Sequence, residues 1–530
     1  MKRTYRNGVI VALLLLAMLM SALTGCSSTP GTQSTPGGAA EDPSAPAAAG
    51  GSTAITIATA AIPSGLDIAS AIATPQRQYF PLIYDYLIFR TNDGSFEPCL
   101  ITEWQYSEDL CDWTVKLREG VQFSNGEPFT AETIKVTFEY IASDPKHSYY
   151  SKWATLENVE IVNDYECIFH FSEGNGDFLS NTALSNYVEP KSFNELGADK
   201  YFENPVGCGM YTLTSWVPGN EMVFEKSDTY WAKDLYANNI DKITLRQISE
   251  SLTRISALTN GEVDVIYNVP FEFISQVEAD PSLNLEFVDS TTAYYMAFQC
   301  ADSRIMNDAN IRRAVSASID RDLIASSVYG NGSAIKQFLP EGTNGFIGNG
   351  YNAEWYDYDL ENAKQLLSQS SYDGSTIEMV VDSSLANSTQ LSAALLSMIQ
   401  EAGMNVNLQF VEAAAMSSIF ANGEYDIVVR SFGHSPDTCP FLLTLIIEDF
   451  MKTKYDNPTM MDSFRAAGLE IDMDKRAQLV QEGAKIANDE CAPVVPIIAP
   501  AISIASKNTI SGIDLFRNSY IDWRDMTCNP

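Results

Sequence analysis

Gly433-His434-Ser435-Pro436-Asp437 gathers a histidine, a serine and an aspartate within five positions. A hydrolytic triad needs these groups to point at one another, which neighbours in sequence seldom do, so the cluster is a poor catalytic candidate. Ser143-Asp-Pro-Lys146 has the SxxK spacing of a serine nucleophile beside a lysine, but the companion elements SDN and KTG are missing. There is no GxSxG elbow, no phosphate loop ending in Gly-Lys and no dinucleotide GxGxxG. The three histidines, His147, His170 and His434, stand far apart without an HxH or HExxH pairing, so no metal site is encoded locally. Neither an enzyme nor a bound cofactor is expected.

Binding and anchoring are better supported. The 33 Lys+Arg against 68 Asp+Glu give a net charge of −35 and a pI near 4.3. Such a surface repels phosphate backbones, and nucleic acid is excluded as a partner. The chain opens with Lys2, Arg3 and Arg6, then the apolar run Val9 to Met20. As a helix that run is about 18 Å long, too short for a bilayer core of about 30 Å. It has the layout of a secretory signal peptide. Leu23-Thr24-Gly25-Cys26 resembles a bacterial lipobox, which implies cleavage before Cys26, lipid on its thiol and attachment to the outer face of the cytoplasmic membrane. Three of the basic residues lie in 1–25, so the chain from Cys26 onward carries 30 basic and 68 acidic residues, or −38. From Ser27 to Ser52 only Gln33, Glu41 and Asp42 fall outside Ser, Thr, Pro, Gly and Ala, the composition of a flexible tether over 26–52.

The folded part must position whatever binds. At 530 residues, 45% hydrophobic and 19% charged, the chain can build roughly two to four domains. Strand-like runs such as Ile55-Thr56-Ile57 and Trp113 to Leu117 alternate with helical patterns, which predicts α/β architecture. Thr130 is placed to cap a helix with Ile134, Phe138 and Ile141 on one stripe. The same period occurs at Ala363, Leu366 and Leu367, at Leu391, Leu395, Met398 and Ile399, and at Ile311, Ala314, Val315 and Ile319. Eight cysteines follow Cys26 without a CxxC; most are expected to be buried apolar residues, with room for one or two bridges.

Leu100-Ile-Thr-Glu-Trp104, Trp113 to Gly120 and Val121 to Glu132 together resemble the signature of family 5 extracellular solute-binding proteins, the oligopeptide, dipeptide and nickel group serving ABC importers. Further blocks fit in order: Asn204 to Tyr211 with Tyr230-Trp231, Arg254 through Gly261-Glu-Val-Asp264, Asn310 to Ala314 with Ile319-Asp-Arg321, and Tyr358 to Leu367. The resemblance covers nearly all of 53–530. It implies two lobes joined by hinge strands, closing on a solute. Lobe one is expected from 53–81, 203–299 and 500–530, a subdomain inserted in it from 82–202, and lobe two from 300–499. Gly120, Gly126, Gly207 and Gly209 are expected at turns where a Cβ would clash.

The resemblance also suggests where solute is held. Phe432 matches a tryptophan that, in peptide-binding members, precedes an amine-binding aspartate by three residues; here that place is Ser435, and Asp437, two further on, is expected to take the pairing. Arg430 and His434 lie in the same segment. Trp153 matches a cleft aromatic that could cover side chains or stack on a sugar, with core packing as its alternative. Thr74 falls near a ligand-touching segment. Thr389 and Gln390 stand where dipeptide binders carry a carboxylate-holding arginine, so a strict dipeptide site is disfavoured, whereas longer peptides held by main-chain hydrogen bonds need no such clamp. The expectation is a lipid-anchored, monomeric receptor delivering an oligopeptide to an ABC permease. An oligosaccharide or metal-chelate receptor, a peptide-sensing lipoprotein and a secreted hydrolase stand as alternatives.

Overall fold

The computed structural model describes residues 53–70, 74–351, 354–434, 436–437, 452–491 and 493–529. The signal segment, the tether and Cys26 lie outside the described residues, as does Ser435.

Local sequence accounts for the elements. The expected helix runs Ala131–Ala142, with Ile134, Phe138 and Ile141 buried and Thr130 N donating to Thr133 Oγ1 at its start. Ala309–Ala317 buries Ile311, Ala314 and Val315, and Ser388–Glu401 buries Leu391, Leu395 and Ile399. Ala131–Ala142 and Ser388–Glu401 lie against sheet strands, whereas Ala309–Ala317 packs chiefly on the helix Leu360–Ser368.

Two open sheets carry the architecture, one per lobe. The first has seven strands in the order Leu283–Val288, Ile502–Lys507, Val265–Tyr267, Ala54–Thr59, Lys242–Gln247, Glu221–Lys226 and Tyr211–Val217. Ala54–Thr59 pairs in parallel on both sides, with Ala54 opposite Lys242 and Thr59 opposite Gln247 on one and Ile57 opposite Val265 on the other. The strand Ile502–Lys507 returns from the C-terminal end to pair antiparallel with both Leu283–Val288 and Val265–Tyr267. The second sheet has six strands: Ser333–Ala334, Val494–Ala499, Thr292–Phe298, Ile427–Gly433, Thr376–Asp382 and Asn405–Val411. Within 82–202 a four-stranded antiparallel sheet, Ile101–Tyr106, Asp112–Leu117, Glu166–Phe171 and Leu156–Asn163, packs on Ala131–Ala142, and its core is continuous with that of the first sheet.

The two-lobed α/β fold is thus present, and one strand lies outside the lobe expected for it. Thr292–Phe298, expected within the lobe-one range ending at 299, is a central strand of the second sheet. The chain crosses between lobes earlier, from Val288 to Thr292, and returns from Ala499 to Ile502. Thr291, in the first crossing, is fully buried; its N donates to Arg517 O and its Oγ1 to His434 O, joining the C-terminal loop, the hinge and lobe two.

The four glycines divide by cause. A Cβ on Gly207 would lie 2.0 Å from the Ile83 carbonyl oxygen and one on Gly209 2.5 Å from it, so both are needed for close approach to the helix Thr74–Ile83. Gly120 and Gly126 have open space around them and instead take left-handed φ of 78° and 87°. All seven cysteines among the described residues are free thiols, five of them buried.

Candidate functional site

The strand Ile427–Gly433 runs through lobe two with Arg430 opposite Tyr295 and Phe432 opposite Ala293 on the neighbouring strand. Beyond its end, Asn344 N donates to Pro436 O at 2.8 Å, which fixes the path into Asp437. The Asp437 side chain is wholly buried, and Arg90 Nη1 donates to its Oδ1 at 3.0 Å. Arg90 ends the strand Ile88–Arg90, on the other side of the seam between the subdomain region and lobe two, and its own side chain is 5% exposed. Ser180 Oγ donates to Asp437 Oδ2. Gly94, in the turn after that strand, has a φ of 90°, and a Cβ there would come within 3.0 Å of Asp437 N. The turn therefore rests directly on lobe two. Two buried, charge-assisted hydrogen bonds offset part of the cost of taking both charges out of water.

Ser180 belongs to the short helix Phe178–Ala183, which runs along the same seam. Just before it, Asp177 Oδ1 accepts from Arg476 Nη2 of lobe two at 2.8 Å, and Arg476 Nη2 also donates to Gly176 O at 2.8 Å. Both side chains of this second ion pair are nearly shut off from solvent. Gly176 faces the backbone of Gly468 so closely that a Cβ would sit 2.2 Å from its carbonyl oxygen. Beside this contact a groove of about 370 Å³ is lined from the subdomain by Lys152, Asp177 and Asn181 and from lobe two by Phe464, Arg465 and Leu469. Its size lies in the range of small-ligand sites.

The residues expected to touch solute have different fates. Arg430 is at the middle of its strand, its guanidinium stacked on Phe420 and Phe432 with ring centroids 5.6 and 5.2 Å away. Burial pulls its pKa below the ordinary guanidinium value while Asp382 opposes the shift. Phe432 packs on Tyr295 at 6.1 Å. His434 is buried and its Nε2 takes a hydrogen bond with the Tyr295 hydroxyl at 2.8 Å; desolvation lowers its pKa to about 4, so the ring is neutral and held by the chain, not offered to solute. Trp153, expected in the cleft, is instead fully buried among Phe138, Phe169, Phe171 and Phe178, nearest Phe138 at 4.3 Å. Its alternative role, core packing, is the one the aromatic cluster of the subdomain provides. Asp437 is in the expected segment, but Arg90 engages its carboxylate where a solute amine was expected. Thr74 begins the helix Thr74–Ile83.

Sequence reasoning missed Arg90, Ser180, Asp177 and Arg476, whose partners lie 347, 257, 299 and 299 residues away along the chain. It also missed Arg77, which lines a small cavity of about 30 Å³ with Tyr84, Tyr149 and Tyr520. The Tyr520 hydroxyl, first among its neighbours, raises the Arg77 pKa, and Arg77 Nε is buried without a hydrogen-bond partner among the described residues. Both side-chain polar atoms of Asn344, next to Pro436, are likewise buried without a hydrogen-bond partner among the described residues.

The model of the bacterial extracellular solute-binding proteins, family 5, matches residues 95–448. The probable D,D-dipeptide-binding periplasmic protein DdpA of Escherichia coli (strain K12) is 24% identical over 463 residues, 83% of this chain and 87% of the relative. The oligopeptide-binding protein OppA of Bacillus subtilis (strain 168) is 24% identical over 478 residues, 81% of this chain and 85% of the relative. Among solved structures, NikA from Brucella suis in complex with Fe(III)-EDTA superposes with a TM-score of 0.80 at 20% identity, over 90% of this chain and 100% of that one.

Proposed function

The chain belongs to the bacterial extracellular solute-binding proteins of family 5, and from that premise we propose that it captures an oligopeptide between its lobes and passes it to the permease of an ABC importer. It is a solute-binding protein of a transport system and not an enzyme. The solute class and the lipid anchor at Cys26 are the finer parts of the proposal. The observation that carries it is the seam itself. Two lobes, linked by crossings of only a few residues, meet through buried ion pairs beside a groove of about 370 Å³. Buried charges at a movable interface suit a clamp, because they are satisfied only when the lobes meet.

An oligopeptide fits the groove's mixed polar and apolar lining and the absence of an arginine at Thr389 and Gln390. Relatives named for oligopeptides and for a D,D-dipeptide support the same class. In this proposal Phe464, Arg465 and Leu469 form the lobe-two wall of the groove, the segment Arg430 to Asp437 closes the seam beside it, Cys26 carries the lipid, and the protein works as a monomer on the outer face of the cytoplasmic membrane. Native mass spectrometry of the purified protein, followed by identification of the released solute, tests it. A retained peptide is expected; a sugar or a metal chelate would remove the peptide class and leave the receptor.

A further inference from the structure

We propose that Arg90 is a specificity-determining residue: it supplies from within the chain the cation that Asp437 requires when the lobes close, so that the solute need not bring one. This deepens the receptor proposal, on which its consequence for selectivity rests. Asp437 belongs to lobe two and Arg90 to the subdomain region, and the pair exists only where the two meet. With the lobes together the Asp437 carboxylate is entirely buried. An unpaired carboxylate buried at that seam would oppose closure strongly, so closure must deliver a positive group. Arg90 delivers it at 3.0 Å, with Ser180 on the second carboxylate oxygen and the Tyr520 ring 5.9 Å from the guanidinium carbon. A solute ammonium at the same carboxylate would meet a second cation, and Arg77 adds another charge at Tyr520 and Tyr149. A solute end seated against this pair is therefore favoured when neutral or anionic, as in an N-blocked peptide or a carboxylate-bearing compound, over a free ammonium.

Two measurements separate this from the peptide proposal. In the first, thermal unfolding of the wild type, Arg90→Ala and Arg90→Ala/Asp437→Asn is followed with methylammonium chloride, against sodium chloride of equal ionic strength. Arg90→Gln repeats the test with most of the side-chain bulk retained. Methylammonium is expected to raise the melting temperature of the two Arg90 single variants only. An equal response of all the proteins overturns the inference. In the second, a random tetrapeptide library and its N-acetylated counterpart compete for each protein, with capture read by mass spectrometry. The wild type is expected to take both forms alike or to favour the acetylated one, and Arg90→Gln to favour the free amine by about 10- to 150-fold, the range for a charge-assisted hydrogen bond. A wild type that favours the free amine overturns the role of Arg90. If no protein captures either form while methylammonium acts as expected, the Arg90 inference stands and the peptide class falls.

Discussion

Replacing Gly176 with alanine adds one methyl group to the subdomain, aimed at the backbone of lobe two. The new Cβ would lie 2.2 Å from Gly468 O and 2.9 Å from both Gly468 C and Leu469 Cα. Carbon at an ordinary contact distance needs about 1 Å more than that, and no flexible side chain is present there to yield. Gly176 does not have a left-handed φ, so alanine adds no backbone strain, and fewer unfolded conformations favour folding by about 0.4–1 kcal/mol. The obstruction therefore acts on closure and not on the subdomain. Asp177 is the next residue, and its 2.8 Å bond to Arg476 would lengthen to about 3.8 Å if the lobes part by the same amount, beyond hydrogen-bond range. Losing that charge-assisted bond costs about 1.5–3 kcal/mol, or roughly 10- to 150-fold in the closing equilibrium. Paired spin labels on the two lobes should report a wider distance, and solute retained through purification should fall by a comparable factor, while the urea unfolding midpoint holds or rises. Unchanged interlobe distance and retention would refute the wedge. A midpoint that falls together with retention would show that the subdomain, not closure, had been damaged.

His434→Gln should remove an acid sensitivity. The ring's folded pKa of about 4 lies below its ordinary 6.5, so the neutral form's stabilisation is complete above pH 6.5 and is lost as pH falls toward 4. Relative to the variant, the wild type should lose about 3 kcal/mol between pH 7 and 4 in urea titrations, and parallel pH profiles would contradict this. Gly207→Ala, whose Cβ meets the Ile83 carbonyl at 2.0 Å, should lower unfolding stability by about 1–3 kcal/mol, and a chemical-denaturation midpoint equal to that of the wild type would count against the close approach. Cys26→Ala should move the protein from the membrane fraction to the soluble one; persistent membrane association would sink the lipid-anchor proposal.

The fold was readable where one physical cause acts over a short stretch. The stripe Ile134, Phe138 and Ile141 encodes its helix because 3.6-residue periodicity needs only a dozen positions. The lobe boundary near 299 was misplaced for a related reason: Thr292–Phe298 is apolar on both faces, and such a strand suits the centre of either sheet. The segment Arg430 to Asp437 could be found by likeness to a family pattern, but what answers Asp437 could not. Arg90 ends a three-residue strand, and nothing in its neighbours encodes a partner 347 residues on. Trp153 shows the opposite difficulty, since an aromatic residue that matches a cleft position has the same letter in a core.

The return of Ile502–Lys507 to the first sheet sets a time order on folding. That strand lies between Leu283–Val288 and Val265–Tyr267, and without it the sheet is divided. The N-terminal strand Ala54–Thr59 must likewise wait for Lys242–Gln247 before its first partner exists. During synthesis the subdomain at 82–202 and lobe two can each complete their sheets from contiguous or nearly contiguous chain, whereas lobe one stays unfinished until the last thirty or so residues emerge. Closing so long a loop adds little to the equilibrium cost, since that term grows only with the logarithm of length, but it slows the search. The nascent protein thus has one unfinished lobe throughout its production, and the clamp acquires its hinge last.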